Sequence, residues 1–151
     1  KITLEQLKTR NRVGNQIFVR KKRIEAIGGY DHHLKSWQDY DLWLRLVIAY
    51  GSAKMLNNTS YIFNVTPGYD RITTSNHAHV GYQQFVGKHQ SILSQAEIYR
   101  HEINDLYNRK VKLTALDSTR RVKDAYTASR LMRLYLLTHF PRFCRTILKL
   151  I

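Results

Sequence analysis

The sequence predicts an α+β chain, with a small mixed sheet in its N-terminal half and a mostly helical C-terminal half. Short runs rich in β-branched and aromatic residues fall in the first 65 positions. Apolar residues recur at three- and four-residue intervals from Asp39, and the pattern is almost wholly helical from about His77 onward. Only seven glycines and two prolines interrupt 151 residues, which favours long regular elements over a low-complexity linker.

Taken in order, "NQIFVRK" at 15–21 has the β-branched and aromatic character of a strand. "KRIEAIGG" follows as a short helix that Gly28 ends through a left-handed cap, and Gly29 adds a second flexible backbone position where chain or ligand approaches closely. From Asp39 the spacing of Trp43, Leu46, Val47 and Tyr50 predicts a helix that Gly51 stops. Asp39 lies where an N-cap or first-turn acid is favoured by the free amides and the dipole. Asp41 and Arg45 are spaced to pair along that helix. "AKML" and "SYIFNVT" predict two short strands joined at Asn57-Asn58, and "TPGYDRITTSN" predicts a loop. Helices are expected near 77–93 and 95–109, with a third beginning after Asp117-Ser118 that Pro141 kinks or divides. The organisation is therefore a mixed front, 1–75, and a helical region, 76–151, with no evident linker.

Twenty-five Lys and Arg against eleven Asp and Glu give a net charge of +14. A field of that sign attracts polyanions, whether nucleic acid, anionic headgroups or phosphorylated substrates, and charge alone does not choose among them. Cys144 is the only cysteine, so an internal disulfide and a CxxC metal site are both excluded, which suits a reducing compartment. No signal peptide and no apolar run of membrane-spanning length is present in these residues. The start at Lys1, without Met, reads as that of a fragment or processed chain.

The stretch "GNQIFVRKKRIEAIGGYDHHLKSWQDYDLWLRL" resembles the C-terminal half of the catalytic domain of family-2 glycosyltransferases, inverting enzymes of the GT-A fold. Gly28-Gly29-Tyr30-Asp31 matches the family's Gly-Gly-Phe-Asp, with Tyr for Phe. Asp39 matches the second acid of its acidic pair, and Asp41-Leu42-Trp43-Leu44-Arg45 matches the Asp-Leu-Trp-Leu-Arg that follows. The likeness covers about 11–75. Two positions depart from it: Gln38 replaces the first acid of the pair, and His32 replaces the Glu after Gly-Gly-Phe-Asp.

The resemblance implies the acceptor-side half of an enzyme that moves a sugar from a nucleotide sugar to a glycan or lipid-linked acceptor in bacterial polysaccharide biosynthesis. It implies Asp39 as catalytic base, with Gly28, Gly29, Tyr30 and Gln38 at the substrates. Beside these, Trp37 can stack on a sugar face and Arg71 can contact a donor or acceptor phosphate, while Asp31 fixes a turn and Asp41 with Arg45 gives structural support. The family's nucleotide-binding strands and Asp-x-Asp metal motif lie further upstream, and nothing before Asn11 is long enough to supply them. Asp39-Tyr40-Asp41 has the letters of that motif but opens a helix. A divalent cation, Mg or Mn, is thus expected through the missing half and none in this fragment. The expected location is the cytoplasm, peripherally at the inner face of the plasma membrane.

Plainer readings stand beside these. Asp39 can be only a helix-capping acid, Trp37 a partly buried aromatic wedge, and Arg71 a solvated loop arginine. His77-Ala78-His79 invites a metal ligand set or simply begins a helix. Asn57, Asn58 and Asn64 head sequons that are frequent by chance. "SRLMRLYLLTHFPRFCRTILKLI" mixes cations with apolar residues and contains no acid, which fits an interfacial helix on anionic lipid or a core-facing helix with a solvated basic face. A basic nucleic-acid-binding module is the alternative class, with "TRNRVGNQIFVRKKRIEAIGG" as its helix-turn-helix. The strand character of Gln16–Val19 and the spread of charge over the whole chain weigh against it, and no nucleic acid is expected as partner.

Overall fold

A computed structural model describes residues 1–14, 16–56, 76–142 and 144. Among the described residues seven helices follow in order: α1 (Leu4–Thr9), α2 (Lys21–Ala26), α3 (Gln38–Tyr50), α4 (Asn76–His89), α5 (Gln95–Asn108), α6 (Ala115–Arg120) and α7 (Ala125–His139).

The expected sheet is not there. Among the described residues the fold is helical, and the only β-pairing is one antiparallel bridge between Ile2 and Ala53. Residues 16–20 do keep the alternation of a strand, with Ile17 and Val19 packed inward and Phe18 90% exposed. Alternation settles which side chains turn inward, but a sheet also needs a second backbone to take up the amides and carbonyls. No described residue pairs with 16–20, so the segment is extended coil. "SYIFNVT", the following loop with Arg71, and the three sequons lie outside the described residues.

The core is built around α3. Seven of its thirteen residues are buried, the pattern of a helix enclosed on nearly every side. Tyr40, Leu44 and Val47 join Ile2, Leu7, Phe85 and Leu93 in one cluster. Leu42, Trp43 and Leu46 face the other way and are covered by Val13, Ile17, Val19, Ile24 and Ile27. The indole Nε1 of Trp43 also donates to the Gly14 carbonyl at 2.8 Å.

Side-chain caps set most other helix starts. Thr3 with Gln6 and Ser94 with Glu97 form capping boxes at α1 and α5, and Thr114 caps α6 through the Asp117 amide. Asp124 with Thr127 does the same at α7, which is why the helix expected from Ser118 is instead two, broken at 121–124. The helix expected over 77–93 stops earlier, at His89. Pro141 follows the C-cap Phe140 of α7 and begins a new helical turn.

His101 of α5 is wholly buried, with its ring against Trp37, Tyr40 and Phe85. Its Nε2 lies 2.8 Å from the Lys8 carbonyl and so carries the proton, while Nδ1 has no partner among the described residues. Burial drops its pKa to about 4, against 6.5 for an exposed histidine. The unfolded chain therefore takes up this proton first as pH falls, and the native state loses stability between pH 6.5 and 4. The loss is about 3 kcal/mol if the whole shift is expressed. The urea midpoint should fall across that window in the native sequence and much less in His101→Gln. An equal fall in both would show that other groups set the dependence.

Candidate active site

The glycine pair is placed by the end of α2. Gly28 and Gly29 have φ of +82° and +67°. The Gly29 amide donates to the Ile24 carbonyl at 2.9 Å and the Gly28 amide to Glu25 at 3.0 Å, the two bonds of a Schellman motif. Space is not what requires glycine here, since a Cβ at either position would meet nothing within 4 Å; the dihedrals are.

Arg45 of α3 then fixes this turn from beneath. Its Nη1 donates to the Ile27 carbonyl at 2.7 Å and its Nη2 to Gly29 at 2.6 Å. The same guanidinium holds Asp41, through Nε at 2.9 Å and Nη2 at 2.7 Å. Asp41 is completely buried and accepts two further contacts on Oδ1, from Lys88 Nζ at 2.9 Å and His89 Nε2 at 2.8 Å. Burial alone would raise its pKa, but the hydrogen bonds from His89, Arg45 and Lys88 outweigh burial and hold it far below the ordinary carboxylate value.

Lys88 also reaches Asp31 Oδ2 at 2.6 Å, while Asp31 Oδ1 accepts from the His33 amide at 3.0 Å in an Asx turn. The Lys88 hydrogen bond is the main cause of the lowered Asp31 pKa. Asp31, Asp41, Arg45 and Lys88 thus form one charge-balanced knot joining the glycine turn, α3 and α4. Lys88 and His89 lie nearly fifty residues from Asp41 in sequence, and no local pattern marks them as its partners.

Trp37, not Asp39, is the N-cap of α3, and it adopts a left-handed conformation with φ +67° and ψ +13°. Its ring sits between Tyr40, Tyr82, Phe85 and His101, with centroids 5.3–5.9 Å away. No side chain caps this helix. Asp39 is its second residue, partly buried, and has no hydrogen bond or ion pair among the described residues. Desolvation raises its pKa above the usual carboxylate value. Two acids two positions apart on one helix therefore differ sharply: Asp41 is saturated with donors and Asp39 is bare. Gln38 spends its amide on the Leu34 carbonyl at 2.8 Å, and Tyr30, 42% exposed, rests edge-on to Trp43 at 6.4 Å.

Helix α4 closes over this loop. Gln84 accepts from the Lys35 amide at 2.9 Å and donates to the His33 carbonyl at 3.0 Å. Ser36 Oγ donates to the carbonyls of His77 and Ala78 at 3.2 and 3.4 Å. The approach is possible because position 81 is glycine: a Cβ there would lie 2.0 Å from Ser36 Oγ and 2.8 Å from both Ser36 N and O. Further along, His79 Nδ1 lies 2.9 Å from the buried Asp105, which Arg109 also holds at 2.8 Å. His77 is exposed.

Hollows open on the surface of the described residues. One of about 350 Å³ lies at the glycine turn and is lined by Gly28, Gly29, Tyr30, Asp31, Arg45 and Lys88, among others, but not by Trp37, Gln38 or Asp39. A larger one of about 500 Å³ runs between 16–19 and 53–56 and touches none of the candidate residues.

No family model matches the chain, and no solved structure matches it. A search of curated proteins finds similarity to a glycosyl transferase, which supports a glycosyltransferase relationship for this chain. The relative is a protein of Escherichia coli (strain K12) named "Putative colanic acid biosynthesis glycosyl transferase WcaA", 32% identical over 103 residues. The match takes in 68% of this chain and 36% of the relative, so the chain spans little more than a third of that protein's length.

Proposed function

We propose that this chain is the acceptor-side part of an inverting, family-2-type glycosyltransferase of the GT-A kind, acting in polysaccharide biosynthesis. The observation that carries this reading is Asp39: a partly desolvated carboxylate at the start of α3 with no partner among the described residues, next to a backbone-strained Trp37. The likeness to the colanic acid enzyme supports the reading independently. In the proposed step an acceptor hydroxyl oxygen attacks the anomeric carbon of a nucleotide sugar. Its proton passes to the Asp39 carboxylate, and the nucleoside diphosphate departs with the electron pair of the broken C–O bond. A single base on the side opposite the leaving group is enough for inversion.

Arg45 holds the Gly28-Gly29 turn, which with Tyr30 lines the hollow where a sugar would be positioned, whereas the Trp37 ring and the Gln38 amide are taken up within the protein and support the loop behind it. Arg71, outside the described residues, is proposed for a phosphate contact. A divalent cation would neutralise the diphosphate. Among the described residues no three of His, Cys, Asp and Glu gather into a cation site, so the residues present do not fit that ion and no step here passes through it. Donor, cation and acceptor would meet on a longer polypeptide working at the inner face of the plasma membrane. The described residues contain no helix long and apolar enough to cross a membrane.

The reading is tested by assaying transfer from a panel of nucleotide sugars, using the complete gene product beside the isolated 151-residue chain. Turnover is expected from the complete product and none from the isolated chain. A complete product that leaves every donor intact would overturn the enzymatic reading, and turnover by the pure isolated chain would overturn its division into halves.

A further inference from the structure

Helix α7 buries one side, and the opposite side carries its most exposed apolar side chains among the described residues. Thr127, Leu131 and Leu134 face the protein, and the Tyr126 hydroxyl donates to Asn104 of α5 at 2.7 Å. Arg130 is drawn to the same side, its guanidinium 4.3 Å above the Tyr107 ring. The opposite stripe, about 100° wide at 3.6 residues per turn, carries Ala125, Ser129, Met132, Arg133, Leu136 and, just past the helix, Phe140. Met132 is 66% exposed and Phe140 51%. A solvated helix face would carry charges of both signs at these positions. This one carries one serine, one exposed arginine and otherwise apolar side chains, with no acid.

We propose that this outward face of α7 is a contact surface for an anionic lipid bilayer, with Met132, Leu136 and Phe140 entering the acyl boundary and Arg133 at the headgroups. The charge pattern selects that partner. Residues 125–151 hold five Lys and Arg and no Asp or Glu. Two copies meeting through this face would set cation against cation, whereas an anionic surface complements it throughout. The proposal does not depend on the glycosyltransferase reading, since lipid contact is measured without turnover.

The test is co-sedimentation of the full chain with phosphatidylcholine vesicles, with and without phosphatidylglycerol, alongside a melting curve for each variant. Binding is expected only where phosphatidylglycerol is present, and it should fade as salt rises because the attraction is screened. Arg133→Gln should weaken it roughly fivefold, the share of one surface cation. Met132→Asp and Phe140→Asp should weaken it tenfold or more with unchanged melting temperatures, because both side chains are already exposed. Met132→Gln supplies a gentler variant should an aspartate disturb folding. Equal binding to neutral vesicles, or retention by the Met132 and Phe140 variants, would overturn the proposal. So would salt-dependent retention on DNA in place of vesicles. Concentration-dependent association abolished by Met132→Asp would assign the face to a second copy, and a sharp drop in melting temperature would assign it to the core.

Discussion

Replacing Asp39 with asparagine in the complete enzyme should lower transfer by roughly 10²–10⁴-fold, the ordinary contribution of a positioned base. Folding and donor binding should change little. That separation is the informative part, because the Asp39 carboxylate holds no hydrogen bond or ion pair among the described residues that the substitution would break. It is not the N-cap either, so no helix start depends on it. Asparagine keeps the size and polarity of the side chain and loses only the ability to take the proton. The raised pKa adds a second signature: activity should fall on the acidic side through a pKa above the usual aspartate value, as the carboxylate becomes protonated. Rates near the native level with the natural acceptor would remove Asp39 from the reaction. A large loss of melting temperature would show that its role is structural.

Asp41→Ala should have the opposite profile and the largest effect on stability. Removing the carboxylate leaves Arg45, 18% exposed, and Lys88, 32% exposed, facing each other across the place it occupied. It also releases His89 and loosens the grip of Arg45 on the glycine turn. Breaking a buried pair by deleting one partner costs about 3–5 kcal/mol, and the partial exposure of both cations places this case toward the lower figure. Urea denaturation of the isolated chain measures it directly, and a cost below about 1 kcal/mol would mean the cations simply turn out to solvent. Acid should mimic the mutation. Because the folded pKa lies below the unfolded value, the stabilisation is complete above about pH 4 and is lost as pH falls further toward the folded pKa.

Local chemistry was the legible part of this chain. The glycines that end α2 and the acids that open α3 stand in the sequence as adjacent letters, and the spacing of Trp43, Leu46 and Val47 marks α3 to within a residue of its ends. Helix α5 was equally plain, Ser94-x-x-Glu97 being an ordinary start signal. The same kind of signal at Asp124-x-x-Thr127 explains the division of α6 from α7, and a capping box at Thr3 and Gln6 explains α1, which the periodicity alone does not mark. The sheet failed for a different reason. Alternation at 16–20 describes one segment, while pairing is a property of two. Within the candidate site, the knot around Asp41 could not be read from its own neighbourhood beyond Arg45, because Lys88 and His89 arrive from α4 only after the chain has folded back. The spacing of Asp41 and Arg45 marks Asp41 for one partner and sets it apart from Asp39, but nothing nearby announces the two further donors that saturate it.

The contact between Gly81 and Ser36 bears on which sequences can share this architecture. A side chain at position 81 would collide not only with the serine hydroxyl but with the serine main chain, at 2.8 Å from both N and O. Substituting residue 36 trims the hydroxyl and leaves the main chain where it is. No single compensating change at position 36 can therefore rescue a larger residue at 81; α4 itself has to withdraw, taking Gln84 and Lys88 off the loop they hold. Evolutionary drift at position 81 is blocked by the neighbour's backbone, which mutation cannot shorten. A larger residue at 81 is therefore expected only in company with an α4 that has moved away from the loop.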